Sequence, residues 1–417
     1  MKRRRKSTAT GEPLDMRHPT PSDFAAPPQV SDFQRWHDAD AAARPARLAA
    51  LRARARVEGL DALLLTSHAD ARYFSGICFG PNEEPTAGVS GWLLISADAF
   101  AIFADSRYTV QARREAELAT PLDPGNDPGA AIAAWAKANG VRNLGVDPGA
   151  IRHAIWVRIQ EAAPDVTLTP AKGWGVALRA VKEPAEIERI AAACAVADRA
   201  LATMLPKIVP GATEAQLAWL LEREMREGGA EALAFDVAAL AGPNAALPHG
   251  NPGGRPFRKG EVALFDFGAQ VAGYRSDMTR TLFVGSAQDE DLILYARVLD
   301  GQQAAIAALR RAVESGATEL PSGRDADRVT RAAMGDVNGV YEHGLGHGIG
   351  LQTHESPSLT RGASESPLPS PTVFSVEPGI YLEERIGIRI EDLVAVDLAR
   401  RSLSTLTLFP SAPLIVG

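Results

Sequence analysis

The sequence has few cysteines, no long apolar run and no excess of positive charge. Its 417 residues include only Cys78 and Cys194, far apart, so neither a disulfide framework nor a thiolate metal site is predicted. No apolar run approaches the roughly 18–20 residues that a membrane helix needs. The basic start, MKRRRKSTATGEP, lacks the apolar segment of a signal peptide, and Met1 and Met16 both remain open as the true start. The net charge of −7 argues against a general nucleic-acid-binding protein. We therefore expect a cytoplasmic protein with no membrane or nucleic-acid partner.

Three segments of the chain differ in pattern. Residues 1–42 are mostly polar, contain proline and lack periodicity, which predicts a flexible N-terminal tail. Alternating helical and strand-like patterns over residues 43–175 begin with a helix over 43–58 and predict an α/β domain with a mixed sheet. Residues 176–417 combine hairpin patterns with long helical patterns, which predicts an α+β domain.

The α+β segment contains two aspartates that a hairpin would bring together. Asp266 and Asp277 lie in VALFDFGAQVAGYRSDMTRTLFVG, where two apolar runs flank a short turn. A turn centred between Val271 and Ala272 would place the two aspartates directly opposite each other. Directly opposed residues of an antiparallel pair lie about 4.5–5.5 Å apart on one face.

A second hairpin pattern repeats this arrangement with two glutamates. In VFSVEPGIYLEERIGIRIEDLVAV, Glu377 and Glu391 are symmetric about Glu384, so a hairpin would make them face each other. Four carboxylates on otherwise apolar strands are costly to bury without compensating charge. Two divalent cations would cancel the four negative charges, and the sequence therefore predicts a dinuclear metal centre.

Histidines are concentrated in the same part of the chain. Of eight histidines, four lie there, at His249, His343, His347 and His354. The segment HGLGHGIG contains four glycines, which suit close backbone approach to a site better than a helix. His347 would add a nitrogen ligand, and a mixed oxygen and nitrogen set suits Mn, Co, Zn or Fe. The competing interpretation makes His343 and His354 core histidines and His249 a turn residue.

Arg389 is expected to point toward the same centre. It precedes Glu391 by two residues, so both side chains lie on one face of a strand. A guanidinium beside a metal site needs an anionic partner. The position predicts a bidentate contact with a substrate carboxylate or with a ligand carboxylate.

Five ordered motifs resemble those of the pita-bread metallopeptidases, which include methionine aminopeptidase, aminopeptidase P and prolidase. The motifs are LPHGNP, DFGAQVAGYRSDMTR, HGLGHGIGLQTHESP, VEPGIY and GIRIED. The resemblance extends over roughly residues 45–417, because the N-terminal region is similar to the creatinase-type domain of the proline-specific members. It implies a creatinase-type α/β domain followed by an α+β pita-bread catalytic domain, and a homodimer.

The resemblance also implies a role for each candidate residue. Two divalent metal ions would be bound, with manganese favoured over cobalt, zinc or iron. Asp277 and Glu391 would bridge the two ions. Asp266 would complete the coordination of one ion, and His347 and Glu377 that of the other. A bridging hydroxide would be the nucleophile, with Glu377 as proton acceptor. The other three histidines would hold the scissile carbonyl oxygen and stabilise the developing oxyanion, as catalytic and substrate-binding residues: His249, His343 and His354.

The function that follows from the resemblance is cleavage of the Xaa-Pro peptide bond in a small peptide with proline in second position. We expect a dipeptidase (prolidase), because HGLGH and Arg389 suit a short substrate with a nearby carboxylate. The alternative is an aminopeptidase P, which releases the N-terminal residue of longer Xaa-Pro peptides. A metal-dependent enzyme with another substrate and a non-catalytic binding protein remain further alternatives on the same fold.

Overall fold

The computed structural model describes residues 17–80 and 87–417 and divides into two compact units. One unit is Ser31–Arg179, and the other joins Ala180–Gly417 to the described residues up to Val30. The sequence placed the division between residues 175 and 176, which falls inside the last helix of the first unit. Within the described residues, no helix is both long and apolar enough to cross a membrane.

The prediction of a flexible N-terminal tail over residues 1–42 was wrong in part. Residues 30–42 belong to helix α1, which runs over Val30–Val57 and so begins well before residue 43. The first half of this helix buries Trp36 but carries mainly polar residues, so it has no apolar stripe from which a helix could be predicted. Ahead of it, the buried Phe24 ring stacks on Phe409. Residues 1–16, also assigned to the tail, lie outside the described residues.

The first unit is an α/β domain built on one six-stranded mixed sheet, as predicted. The strand order is β4-β3-β2-β1-β5-β6; β1–β2 and β2–β3 are antiparallel, and the other pairs are parallel. The elements after α1 are β1 Ala62–Leu65, α2 His68–Ser75, β2 Leu93–Ser96, β3 Phe100–Phe103, α3 Thr109–Glu115, β4 Thr120–Leu122, α4 Pro128–Ala138, β5 Asn143–Val146, α5 His153–Ala162, β6 Thr167–Pro170 and α6 Trp174–Arg179.

The second unit is an α+β domain in which helices accompany mainly antiparallel strands, also as predicted. Its helices are α7 Pro184–Met204, α8 Glu214–Glu227, α9 Asp289–Glu314 and α10 Gly323–Met334. Its strands are β7 Ala232–Leu233, β8 Ala238–Ala241, β9 Val262–Phe267, β10 Ala269–Val271, β11 Tyr274–Arg275, β12 Met278–Val284, β13 Gly346–Gly348, β14 Glu355–Leu359, β15 Thr372–Val376, β16 Gly379–Leu382, β17 Ile386–Arg389, β18 Asp392–Asp397, β19 Ser402–Thr405 and β20 Ile415–Val416.

Two larger sheets and two small ones carry the strands of this unit. The larger orders are β20-β12-β9-β8 and β14-β13-β15-β18-β19. The small sheets, β11-β10-β7 and β16-β17, extend the strands that bear the predicted carboxylates. Buried apolar clusters pack helices α9 and α10 against these strands. The carboxylates therefore project from strands that pack against helices.

Candidate metal centre

The first hairpin forms, but its predicted register was wrong. Asp266 on β9 pairs with Thr279 on β12, so Asp277 is not directly opposite it. The turn lies one position later than predicted, at Ala272 and Gly273, which take φ values of 47° and 79°. Two-residue hairpin turns favour such positive φ values, and glycine adopts them at no steric cost.

The two aspartates still share one face of the sheet. Asp277 precedes Thr279 by two residues, and side chains two apart on an extended strand point the same way. Asp277 is thus a diagonal neighbour of Asp266 instead of its direct partner. The register error left the predicted convergence of the two carboxylates intact.

The second hairpin has the predicted register. Strands β15 and β18 pair Val376 with Asp392, and strands β16 and β17 pair Gly379 with Arg389. These two pairs bracket Glu377 and Glu391, which therefore face each other between the two ladders. The turn is centred on Glu384, which has a φ of 56°.

All the predicted site residues line one cavity of about 480 Å³. They are Asp266, Asp277, Glu377, Glu391, His249, His343, His347, His354 and Arg389. The cavity is open to solvent on the side of His249 and His354, which are exposed, whereas Asp277 and Glu391 are buried at its base. Residues predicted from separate motifs therefore lie together in one cavity.

Three of these side chains already have the arrangement of a cation site. Ligand atoms of Asp277, His347 and Glu391 lie within 4.8 Å of one another. The His347 Nε2 atom is 3.7 Å from Asp277 Oδ2 and 3.3 Å from Glu377 Oε1. The other ring nitrogen, Nδ1, donates to the Gly348 carbonyl at 3.1 Å, so Nε2 is the nitrogen that a metal ion would bind in place of a proton.

The carboxylates of the cavity repel one another, and added positive charge would stabilise their ionised forms. Burial, followed by repulsion from neighbouring carboxylates, raises the pKa of Asp277 and of Glu391 well above the ordinary values. Burial alone would lower the pKa of His347, but Glu377 and Glu391 raise it to about 9. The site therefore attracts a proton where a cation would be held. Divalent cations fit this environment because they remove the repulsion.

Two buried carboxylate oxygen atoms lack partners within the described part of the chain. Asp266 Oδ1 and Glu391 Oε1 accept no hydrogen bond there. An unsatisfied buried carboxylate oxygen is costly, so native proteins pair such atoms with donors or with metal ions. The unpaired atoms belong to two of the predicted ligands, and the donor set fits a metal centre.

Arg389 reaches a ligand carboxylate, one of its two predicted partners, but through one hydrogen bond and not through the predicted bidentate contact. Its Nη2 atom donates to Asp266 Oδ2 at 2.5 Å. Its Nε atom donates to Thr279 Oγ1 at 2.9 Å, and its Nη1 atom to Tyr381 Oη at 2.9 Å. Arg389 is buried and held from three sides, so its guanidinium has a fixed position beside Asp266.

The three remaining histidines differ in their surroundings. His343 has a protein partner at each ring nitrogen: Nδ1 donates to the Gly344 carbonyl at 2.8 Å, and Nε2 accepts from Tyr381 Oη at 2.9 Å. Burial lowers the pKa of His343, which keeps its ring neutral. His354 lies against His347 with 4.2 Å between ring centroids and is exposed, unlike a core histidine.

Sequence reasoning missed two polar residues that organise the ligands. Thr279 donates to Glu391 Oε2 at 2.7 Å and also receives the Arg389 contact. Tyr381 links Arg389 to His343. Both could have been found from strand alternation, because Thr279 lies two residues after Asp277 and Tyr381 four residues after Glu377.

Arg280 was also missed, although it lies in the quoted motif DMTR. Its Nη1 atom donates to the Glu391 backbone carbonyl at 2.5 Å, and its Nη2 atom contacts Asp392 Oδ1 at 2.6 Å. The guanidinium is buried, with the side chain 1% exposed. Arg280 therefore fixes the strand segment from which the Glu391 side chain projects.

Replacing Arg280 with methionine is expected to lower the free energy of unfolding by about 3–5 kcal/mol, because the buried Asp392 loses its cation. Denaturant titration measures the change, with Arg310→Met, at an exposed site on α9, as the control. A loss no larger than that of the control would show that Arg280 does not stabilise this segment.

Comparison with known proteins gives two domain matches that follow the two units. Residues 47–181 match the creatinase/prolidase N-terminal domain, and residues 188–397 match metallopeptidase family M24. An uncharacterized peptidase of Bacillus subtilis is 32% identical over 81% of this chain and 91% of its own length.

Solved structures with the same architecture include proteins of both proline-specific types. An Xaa-Pro dipeptidase from Bacillus anthracis superimposes with a TM-score of 0.79 and 29% identity over 89% of this chain and all of its own. An X-Pro aminopeptidase from Thermotoga maritima gives a TM-score of 0.73 and 32% identity over 86% of this chain and 98% of its own. The similarity therefore extends over both units.

Proposed function

The chain belongs to metallopeptidase family M24, and from this premise we propose that it hydrolyses the peptide bond between an N-terminal residue and proline with two bound divalent cations. The predicted resemblance and the two-domain architecture, a creatinase-type domain followed by a pita-bread domain, are confirmed. The observation that carries the proposal is the convergence of four carboxylates and His347, with two buried carboxylate oxygens left unpaired.

The protein's donors can be divided between two ions. Asp277 and Glu391 lie at the buried base of the cavity, where each could serve both ions. Asp266, fixed by Arg389, would complete one shell, and His347 with Glu377 the other. With Arg389 bound to Asp266, one divalent ion would still leave one of the four negative charges uncompensated, whereas two ions compensate all of them. Manganese, cobalt, zinc and iron all suit this oxygen and nitrogen set.

The chain's own groups can then assist hydrolysis. When bound, the ions lower the pKa of a water molecule toward neutrality and polarise the scissile carbonyl. Glu377 Oε1 is held by Ser375 Oγ at 3.0 Å, in position to accept a proton. His249 and His354, exposed in the cavity, can donate to substrate oxygen atoms. His343 positions Tyr381 and through it Arg389, because both its ring nitrogens have protein partners.

Substrate length distinguishes two candidate functions. The first is a dipeptidase, because one of the similar structures, from Bacillus anthracis, is named an Xaa-Pro dipeptidase. The second is an aminopeptidase acting on longer peptides, and one observation favours it. Arg389 is the only lysine or arginine among the described residues that line the cavity, and it is bound to Asp266. Its charge is therefore already shared with Asp266 before a dipeptide carboxylate binds.

A matched assay tests the proposed reaction. The chain is supplied with Mn²⁺, Co²⁺ or Zn²⁺ and given Ala-Pro, Ala-Pro-Ala and the control Ala-Ala. We expect cleavage of at least one of the two proline peptides and a much slower reaction with Ala-Ala. If neither proline peptide is cleaved with any of the three ions, the proposed function is wrong.

Replacing Arg389 with lysine is expected to lower kcat/KM for Ala-Pro and for Ala-Pro-Ala by a similar factor of about 10–100, as for other residues that orient metal ligands. A lysine cannot hold Thr279, Tyr381 and Asp266 together, so Asp266 loses its fixed position. Metal affinity, measured by calorimetry, should fall in parallel. A loss confined to Ala-Pro would instead assign Arg389 to the substrate carboxylate and support the dipeptidase.

A further inference from the structure

One acidic side chain at the open side of the cavity has no role in the proposed metal centre. Asp236 lines the cavity and is exposed. It lies two residues before Ala238, which pairs with Asp266 across strands β8 and β9. Asp236 precedes the first residue of β8 by two positions and lines the same cavity as Asp266.

Asp236 adds a charge of its own to the residues that line the cavity. Leaving aside the five proposed ligands and Arg389, Asp236 is the one Asp, Glu, Lys or Arg among the described residues that line the cavity. The neighbouring rim residues Asn251 and Ser358 are exposed and carry no charge. Asp236 has no ion-pair partner in the described part of the chain. A substrate in the cavity would therefore meet one carboxylate that forms no ion pair within the described residues, with the Arg275 guanidinium nearby at the Ala234 carbonyl.

We propose that Asp236 is a specificity-determining residue that selects peptides with a cationic side chain next to the proline. The proposal rests on the Xaa-Pro hydrolysis proposed above and names its substrate class. A carboxylate attracts an ammonium or guanidinium and repels a carboxylate, and contact with bound peptide reduces screening by solvent. Because the site is exposed, we expect a discrimination of about 2- to 5-fold from this one charge.

The test compares substrates of equal length that differ in charge. Values of kcat/KM are measured at low salt for Lys-Pro, norleucine-Pro and Glu-Pro. We expect Lys-Pro to exceed norleucine-Pro by about 2- to 5-fold and Glu-Pro to fall below it by a similar factor. Added salt should reduce both ratios, because the charges are exposed.

Variants at Asp236 assign the preference to this residue. Asp236→Asn should bring the Lys-Pro to norleucine-Pro ratio close to 1, and Asp236→Lys should invert the order so that Glu-Pro becomes the better substrate. Asp300→Asn is the matched control, since Asp300 is an exposed aspartate on α9 that does not line the cavity. It should leave the wild-type ratio in place. Ratios that stay at the wild-type value in both Asp236 variants would overturn the proposal.

A second pair of peptides shows whether Asp236 recognises the charge of the residue before proline or of the residue after it. Ala-Pro-Lys and Ala-Pro-norleucine place the charge after proline, whereas Lys-Pro and norleucine-Pro place it before. A charge preference in either pair that disappears in Asp236→Asn supports the proposal and assigns the position. Equal losses for charged and neutral peptides in Asp236→Asn would show that Asp236 binds the α-ammonium common to all substrates, and the proposal would be wrong.

Binding separates a failure of this proposal from a failure of the proposed function. If no peptide is cleaved, Xaa-Pro hydrolysis is wrong, but calorimetry with the metal-loaded chain still compares Lys-Pro with norleucine-Pro. Tighter binding of Lys-Pro that is lost in Asp236→Asn supports charge selection at this site. Equal binding of the two dipeptides and of the two tripeptides overturns it.

Discussion

Replacing Asp277 with asparagine is expected to abolish detectable turnover, with kcat falling by more than about 10⁴-fold, as when one member of an interdependent catalytic group is lost. Asp277 is buried at the base of the cavity and belongs to the close group with His347 and Glu391. Asparagine keeps the shape of the side chain but removes a charge that both ions are proposed to share. Steady-state kinetics on Xaa-Pro peptides, together with elemental analysis, measures the effect.

The same substitution should change stability in opposite directions with and without metal. In the metal-free chain it removes one of four mutually repelling carboxylates in the cavity, so Tm should rise. In the metal-loaded chain it weakens binding of the ions that stabilise the folded state, so Tm should fall relative to the loaded wild type. Asp300→Asn, at an exposed site, controls for the change in net charge. Near-normal activity with normal metal content would refute the shared-ligand assignment of Asp277.

Replacing His354 with alanine is expected to lower kcat by about 10²–10³-fold, the usual cost of losing a donor to a developing oxyanion. The His354 ring is exposed in the cavity and lies against the proposed ligand His347. It is thus close to the place where a scissile carbonyl would bind. A donor that acts mainly in the transition state should change kcat more than KM.

The control for His354 is His153→Ala, which removes an exposed histidine from the other unit. Metal content and Tm of the His354 variant should match the wild type, because His354 is not a proposed ligand and is not in the core. An unchanged kcat would exclude an oxyanion role. A parallel loss of bound metal would instead show that His354 supports His347.

Strand alternation was sufficient to predict that the four carboxylates converge. For Glu377 and Glu391, the symmetry about Glu384 gave the register that the structure has. For Asp266 and Asp277 it did not, because the loop allowed two positions for a two-residue turn. The glycine at 273 favoured the later position. Since side chains alternate with period two, the error kept both aspartates on the cavity face.

Contacts made across separate elements could not be predicted in the same way. From the sequence, a substrate carboxylate and a ligand carboxylate were equally suitable partners for Arg389. Only the packing of β9 against β17 brings Arg389 to Asp266. Asp236 carries no motif, and its placement on the rim follows from pairing of β8 with β9. Helix α1 was predicted too short because its first half has too few apolar residues to form a stripe.

We propose that the four carboxylates of the cavity bind two cations on which proline-specific hydrolysis depends. The most direct measurement is an equilibrium titration of the metal-stripped chain with Mn²⁺, with bound ions counted and Ala-Pro and Ala-Pro-Ala cleavage assayed on the same samples. We predict two bound ions per chain and hydrolysis that appears only as they bind. A chain that binds no Mn²⁺, or that cleaves these peptides fully when stripped of metal, would rule out metal-dependent hydrolysis at this site.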